Sequence, residues 1–219
     1  MGKPLSRREE RRGERRAAIL ETATQIFKDH GYAGTTMSGI AALLGGSKGT
    51  LWSYFCGKDE LFAACIEEMT RAFREDLLKV LDPAAPLRPA VEGFCQRFIA
   101  KILAPDAIAF YRLLCGECGR APEISRIFHE RGPAVIEAML IGFLTSHLAA
   151  GRLRGGTAME MANFLFSMCM GMAHSRALLG IEPLPGPTPE AIAATFFRLY
   201  GGNGPEGALT EAGVGEGAV

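Results

Sequence analysis

Three groups of residues in the chain have the types and spacing to do chemistry. The first is Cys115-Gly-Glu-Cys118, a Cys-x-x-Cys pair of the kind that binds a soft metal or cycles between dithiol and disulfide. It stands alone, because no strand-like segment precedes it and His129 is too isolated to complete a ligand set. Neither a zinc ribbon nor a thioredoxin-like site fits. The second group is basic: Lys3, Arg7, Arg8, Arg11, Arg12, Arg15 and Arg16 outweigh Glu9, Glu10 and Glu14 in residues 1–16. A basic end on a chain of zero net charge suits an anionic partner such as nucleic acid, or serves only as a solvated tail. The third is Ser47-Lys48-Gly49-Thr50 with Trp52 and Tyr54 close behind. At the start of a helix, such hydroxyls and backbone amides can hold a phosphate, while glycine permits close approach. No Gly-rich phosphate loop, nucleophile elbow or His-Glu-x-x-His is found, so catalytic residues, resident metal and cofactor are all expected to be absent.

The elements that must position these groups are helical throughout, and the fold class is all-α. Ile19, Leu20, Ala23, Ile26 and Phe27 form one stripe of a 3.6-residue repeat, which Gly31 ends. Thr35 or Thr36 caps a second helix that turns Ile40, Ala41 and Leu44 inward and stops at Gly45-Gly46. Ser47 caps a short third helix through Phe55. After Gly57, the acidic start Lys58-Asp-Glu opens a long fourth helix that runs to about Leu81. Further helices are predicted near 87–103, 106–119, 122–130, 132–150, 157–181 and 188–201, separated by Pro and Gly. No apolar run approaches the roughly 20 residues of a membrane span, and no signal peptide is seen. A cytoplasmic protein with no membrane partner is expected. The six cysteines are then free thiols.

Two short helices about a Gly-Gly turn, after a longer packing helix, have the pattern of a helix-turn-helix. The wording of Thr35-Thr-Met-Ser-Gly-Ile-Ala-Ala-Leu-Leu-Gly-Gly-Ser-Lys-Gly-Thr-Leu-Trp-Ser-Tyr-Phe-Cys-Gly-Lys-Asp-Glu-Leu resembles the DNA-binding segment of the TetR family of repressors. The resemblance covers about residues 13–66. It implies that the third helix enters the major groove, that Tyr54 meets a phosphate, and that Lys58 clamps the DNA backbone. Trp52 stands where the family usually has Tyr, and packing against the second helix is its other reading. The candidate DNA contacts are Thr36, Ser47, Lys48, Gly49, Thr50, Trp52, Tyr54 and Lys58, with Arg11, Arg12, Arg15 and Arg16 in an arm ahead of the first helix. Leu51 and Phe55 face inward. Three positions depart from the family pattern. Gly39 leaves the second helix without a capping box, Gly46 replaces an apolar turn residue, and Cys56 takes a usually polar or small slot.

Beyond the head, Phe110-Tyr-Arg-Leu-Leu, Pro122-Glu-Ile, Phe128-His-Glu-Arg-Gly-Pro and Leu148-Ala-Ala-Gly-Arg-Leu resemble the AefR-type C-terminal domain of some TetR-family regulators. That resemblance implies a ligand pocket among the middle helices and dimerisation through the last two. A Phe- and Met-rich interior adapts to apolar ligands. The candidate pocket residues are Phe94, Phe98, Ile102, Phe110, Leu114, Met139, Phe143, His147, Phe164, Met168 and Met172, with His147 the one polar handle. The candidate dimer contacts are Ala162, Phe166, Met170, Ala173, Ala177, Ile192, Phe196 and Leu199.

The expected organisation is a basic disordered arm (1–12), a helix-turn-helix domain (13–58), a helical sensing and dimerisation domain (59–201) and a disordered tail (202–219). The expected function is a ligand-responsive repressor. It binds palindromic double-stranded operator DNA as a homodimer and is released by a small apolar ligand. The alternatives are a redox or metal sensor at Cys115 and Cys118, a constitutive DNA-binding scaffold, or a helical enzyme.

Overall fold

The computed structural model of the chain describes residues 6–45, 48–119, 121–182 and 184–202, with Lys48 described by its backbone alone. Lys3, Gly46, Ser47 and the expected tail beyond Gly202 therefore lie outside the described residues. The described residues form ten α-helices: α1 (Arg7–His30), α2 (Met37–Leu43), α3 (Lys48–Trp52), α4 (Lys58–Val80), α5 (Leu87–Ile102), α6 (Pro105–Cys118), α7 (Pro122–Arg131), α8 (Pro133–Ala149), α9 (Ala158–Leu178) and α10 (Pro189–Tyr200).

The first helix corrects an expectation. It begins at Arg7, so residues 7–12 are not a disordered arm, and Arg11, Arg12, Arg15 and Arg16 lie inside α1 rather than ahead of it. A capping box explains the early start. The Glu9 amide donates to Ser6 Oγ at 3.3 Å and the Ser6 amide donates to Glu9 Oε2 at 2.8 Å. Two otherwise orphan donors are thereby satisfied, beside carboxylates that suit the helix N-terminus. In α2, Thr36 is the cap, its Oγ1 accepting from the Gly39 amide at 3.0 Å, and Gly39 supplies no reciprocal side chain.

The helices form two compact units, residues 1–72 with 109–134, and residues 73–108 with 135–219. The expected boundary at residue 58 is thus displaced. In the first unit, Ile19, Leu20 and Phe27 of α1, Ile40 of α2 and Leu51 of α3 share one core with Leu61, Phe62, Cys65 and Ile66 of α4, Phe110 and Leu114 of α6, and Ile124 and Ile127 of α7. An aromatic chain runs through it: Phe27–Phe62 at 5.0 Å, Phe62–Phe110 at 6.4 Å and Phe110–Phe128 at 6.0 Å between ring centroids. Phe62 meets Phe27 and Tyr32 on one side and Phe110 of α6 on the other, and burial of such a side chain is worth roughly 1.5–3 kcal/mol. The head therefore recruits α6 and α7.

In the second unit α5, α9 and α10 pack on one another. Phe94, Leu140, Leu144, Met161, Leu165, Ile192 and Phe196 are fully buried there. Arg97 ties α5 to the end of α4 through Asp76 at 2.7 Å. Thr157 and Glu160 close a capping box on α9, and Thr188 caps α10 ahead of Pro189. Helix α9 is not the single run that was expected: Gly171, at φ +43° and ψ −157°, kinks it, a backbone state open to glycine and strained for other residues. Contrary to the expectation that no apolar run approaches the length of a span, residues 122–149 together are long and apolar enough to cross a membrane by length and composition. Gly132 separates them into α7 and α8, whose Ile124 and Leu140 are buried in the cores of the first and second unit respectively.

Candidate nucleic-acid interface

Helix α3 is only five residues long and is held by what lies beneath it. Leu51 and Phe55 are buried in the head core, and their burial orients the opposite side of the segment outward. Trp52 remains 49% exposed, so packing against α2 does not cover its indole. Gly49 is exposed and Thr50 half-buried, with the Thr50 carbonyl accepting from Ser53 Oγ at 2.7 Å. Thr36 is exposed, but its hydroxyl is occupied as the cap of α2.

The arginines of α1 do more than supply charge. The Arg12 guanidinium lies over the Tyr54 ring at 5.5 Å and that of Arg16 over the Phe55 ring at 5.4 Å, contacts of the cation–π type. Arg15 Nη2 donates to the Leu44 carbonyl at 3.3 Å, where α2 ends, and so caps that terminus. At about 100° per residue, Arg7, Arg8, Arg11, Arg12, Arg15 and Arg16 fall within one half of the helix circumference. Glu9, Glu10 and Glu14 fall on the other half. The α1 extension therefore presents a basic face on the side that reaches Tyr54 and Phe55.

Lys58, expected to clamp the DNA backbone, is engaged within the head itself. Its Nζ donates to the Tyr32 carbonyl at 2.9 Å and the Thr35 carbonyl at 3.0 Å, and sits 4.0 Å from the Tyr32 ring centroid. The Tyr32 hydroxyl donates to Asp59. Burial, followed by Asp59, raises the Tyr32 pKa and keeps the phenol protonated. The same loop is gripped from α6, where Glu117 accepts from the Tyr32 amide at 2.9 Å. Sequence reasoning missed Arg15–Leu44 and Glu117–Tyr32. Nothing in the local pattern signals either, since the partners lie 29 and 85 residues apart.

The expected ligand residues do not form one group. Phe110 and Leu114 belong to the head core and are not part of the second unit. Met172, just past the Gly171 kink, is 68% exposed rather than interior. In the second unit Phe94 and Phe98 stack at 5.6 Å. Met139, Phe164 and Met168 pack half-buried on the same core, while Ile102 is half-buried near the end of α5. His147 is fully buried 4.4 Å from the Phe143 ring centroid, and neither of its ring nitrogens has a hydrogen-bond partner. Burial, and then Arg152, holds its pKa below the usual imidazole value, so the ring is neutral, with one donor and one acceptor.

The expected dimer contacts also divide. Ala162, Ile192 and Phe196 are fully buried within their own chain and cannot meet a partner. Phe166 packs on Phe94 and Phe98 at 5.7 and 5.0 Å. Met170 and Leu199 are exposed, Leu199 at 55%, while Ala173 and Ala177 are half-buried. The mistake has a simple cause: an apolar helix face must be covered, and here the chain itself covers much of it.

Cys115 is exposed, and Cys118 Sγ donates to the Leu114 carbonyl at 3.0 Å. Partial burial and the neighbouring Cys118 push the Cys115 thiol up, away from the reactive thiolate. Among the described residues no three His, Cys, Asp or Glu side chains gather where they could hold a metal ion.

Comparison with known proteins gives two domain matches. Residues 19–65 match the description "Bacterial regulatory proteins, tetR family", and residues 89–201 match "AefR-like transcriptional repressor, C-terminal domain". The chain is 30% identical over 114 residues to the HTH-type transcriptional regulator BetI of Rhizobium meliloti, covering 52% of this chain and 56% of that protein. It is 36% identical over 87 residues to the HTH-type transcriptional activator FasR of Mycolicibacterium smegmatis, covering 38% of this chain and 40% of that one. The matched stretch thus spans about half the length of these curated relatives. Among solved structures, the flavonoid-responsive regulator FrrA superposes with a TM-score of 0.74 at 30% identity, covering 88% of this chain and 100% of that one. A regulator of Mesorhizobium loti superposes at 0.72 with 22% identity over 86% and 98% of the two chains, a likeness of fold.

Proposed function

Since the chain belongs to the TetR family of bacterial transcriptional regulators, we propose that it is a ligand-responsive repressor acting in the cytoplasm. It binds a palindromic operator as a homodimer and leaves it when a small, largely apolar effector binds. The observation that carries the DNA-binding part is the exposed indole of Trp52 on α3, beside the basic face of α1 that Arg12 and Arg16 anchor to Tyr54 and Phe55. In this arrangement α3 supplies base contacts from Trp52 and Lys48, Gly49 lets it approach the duplex closely, and the Thr50 hydroxyl meets phosphate. Tyr54 and the α1 arginines meet phosphates.

The effector belongs to the second unit. Of the expected lining, Phe94, Phe98, Ile102, Met139, Phe143, Phe164 and Met168 lie in this unit's helices, with His147 as the polar group. A neutral imidazole without a partner favours a ligand carrying a hydroxyl, which can both donate and accept. A flavonoid is such a molecule, and FrrA is flavonoid-responsive. An aromatic, hydroxyl-bearing effector is therefore the favoured class. Release requires only that it bind the DNA-free arrangement more tightly, by about 1–3 kcal/mol. The dimer surface uses Met170 and Leu199, extended by the exposed Met159, Met172 and Leu179. A two-fold contact would hide these side chains. The raised Cys115 thiol argues against the thiol-responsive alternative.

The test is selection of a duplex from a random DNA pool by the full chain, followed by titration over a salt series. A salt-sensitive complex on a palindromic site supports the reading. Trp52→Ala should weaken that complex by about 1–3 kcal/mol, the range of a good base contact, while leaving the thermal midpoint within the small range of surface changes. No enrichment of any duplex, or unchanged affinity for Trp52→Ala, would overturn it.

A further inference from the structure

The loop between α1 and α2 is held from two sides by side chains that no local pattern supplies. Glu117, in the last turn of α6, accepts from the Tyr32 amide at 2.9 Å, and from the Ala33 amide at 3.3 Å to one oxygen and 3.2 Å to the other. Lys58 answers with the opposite sign, donating to the carbonyls of Tyr32 and Thr35. Thr35 Oγ1 closes the loop on the Gly31 carbonyl at 2.6 Å. Gly31 adopts φ +70°, and a Cβ built there would overlap the Glu117 carboxylate, so both backbone and space require glycine. Two successive amides on one carboxylate are charge-assisted hydrogen bonds, stronger than neutral ones. The loop leads into Thr36, the cap of α2, and α2 packs on α3.

We propose that Glu117 is a positioning residue for DNA binding: from α6 it sets the loop ahead of α2, and through α2 the presentation of α3. The inference rests on the reading that α3 faces DNA. Glu117 itself does not touch DNA. Its place in the chain gives the contact further meaning, because α6 starts in the unit of residues 73–108 and enters the head at residue 109.

The sign of the effect separates this role from simple charge. Removing a carboxylate from a DNA-binding head should, by electrostatics alone, strengthen its attraction to a polyanion. Loss of a positioning contact does the reverse. The experiment uses Glu117→Ala and Glu117→Gln in the full chain, with a duplex selected from a random pool by the native protein. In Glu117→Ala, affinity should fall five- to hundredfold, the range of a coupling between sites. The slope of log K against log salt should stay unchanged, since no phosphate contact is lost. Amide exchange at Tyr32 and Ala33 should accelerate, with the middle of α1 unaffected. Glu117→Gln removes the same charge but keeps one acceptor oxygen, so it should recover part of the affinity; if the Ala variant does not fold, the Gln variant against native carries the test with a smaller loss of the same sign. Unchanged exchange at Tyr32 and Ala33, or affinity within twofold of native in Glu117→Ala, overturns the proposal. Failure of the native protein to select any duplex overturns the DNA reading of α3 and this proposal with it, whereas native binding with an indifferent Glu117→Ala overturns only the latter.

Discussion

The Arg12 guanidinium lies 5.5 Å from the ring centroid of Tyr54, joining the basic extension of α1 to the end of the DNA-facing segment. Arginine is thereby both a charge and a brace. Arg12→Ala should remove the brace and one phosphate contact together, whereas Arg8→Ala, one turn earlier, should remove charge alone. Each lost phosphate contact should lower the slope of log K against log salt by roughly 0.9. Both variants should show that drop in a salt titration, and Arg12→Ala should in addition lose affinity at every salt concentration. Identical behaviour of the two would mean that the stack on Tyr54 contributes nothing to binding.

Lys58 offers the opposite test. Its ammonium is engaged by two loop carbonyls, so Lys58→Met should cost stability through unsatisfied acceptors, about 1–3 kcal/mol. The salt slope of DNA binding should not change. A lysine clamped on the DNA backbone would give the reverse: a shallower slope with stability preserved. Urea midpoints and salt titrations of the same preparation decide between them.

His147 makes stability depend on pH. Burial and Arg152 depress its pKa in the folded chain from the usual 6.5, and burial does the same for His174. Below about pH 6.5 the unfolded chain therefore binds more protons than the folded one, and stability rises with pH. The contribution should be complete above the unfolded value, then decline as pH falls from there toward the folded value. Urea midpoints at pH 7.5 and pH 5.5 should show this loss. His147→Met should shrink it, leaving the part due to His174. An unaltered pH dependence in His147→Met would place the effect elsewhere.

The two ends of the dimer expectation can be separated on α10. Leu199 is exposed and Ile192 fully buried. Leu199→Glu should give a folded monomer, seen as halved mass in sedimentation with an unchanged helical spectrum. Ile192→Ala should instead destabilise the chain by about 2–5 kcal/mol. A Leu199→Glu protein that stays dimeric would remove this surface from the interface.

Much of the chain was legible without coordinates, for reasons that are local. A helix declares itself through a 3.6-residue stripe, and its ends through residues whose side chains bond backbone groups three or four positions away. Gly31, Thr36 and the Pro and Gly breaks bounded their helices accordingly. The wording from Thr35 to Leu61 pointed to the family because the turn and the short α3 have strict local demands. Even Ser6 and Glu9 form a local capping box, and reading it would have put the six arginines on a helix. What only the tertiary structure decided is which partner each face meets. An apolar stripe says that a surface must be buried, not whether another helix of the chain or a second copy buries it. Ile192 and Phe196 went to the chain's own core for that reason, and Phe110 and Leu114 to the head rather than the sensor. Charged side chains are harder still to assign. A lysine at the start of α4 has one sequence and two uses, and the loop carbonyls it holds become its neighbours only after α1 and α4 have packed. Glu117 meets the Tyr32 amide across 85 residues, a contact that follows from packing α6 into the head core, where Phe110 meets Phe62, not from any spacing in the sequence.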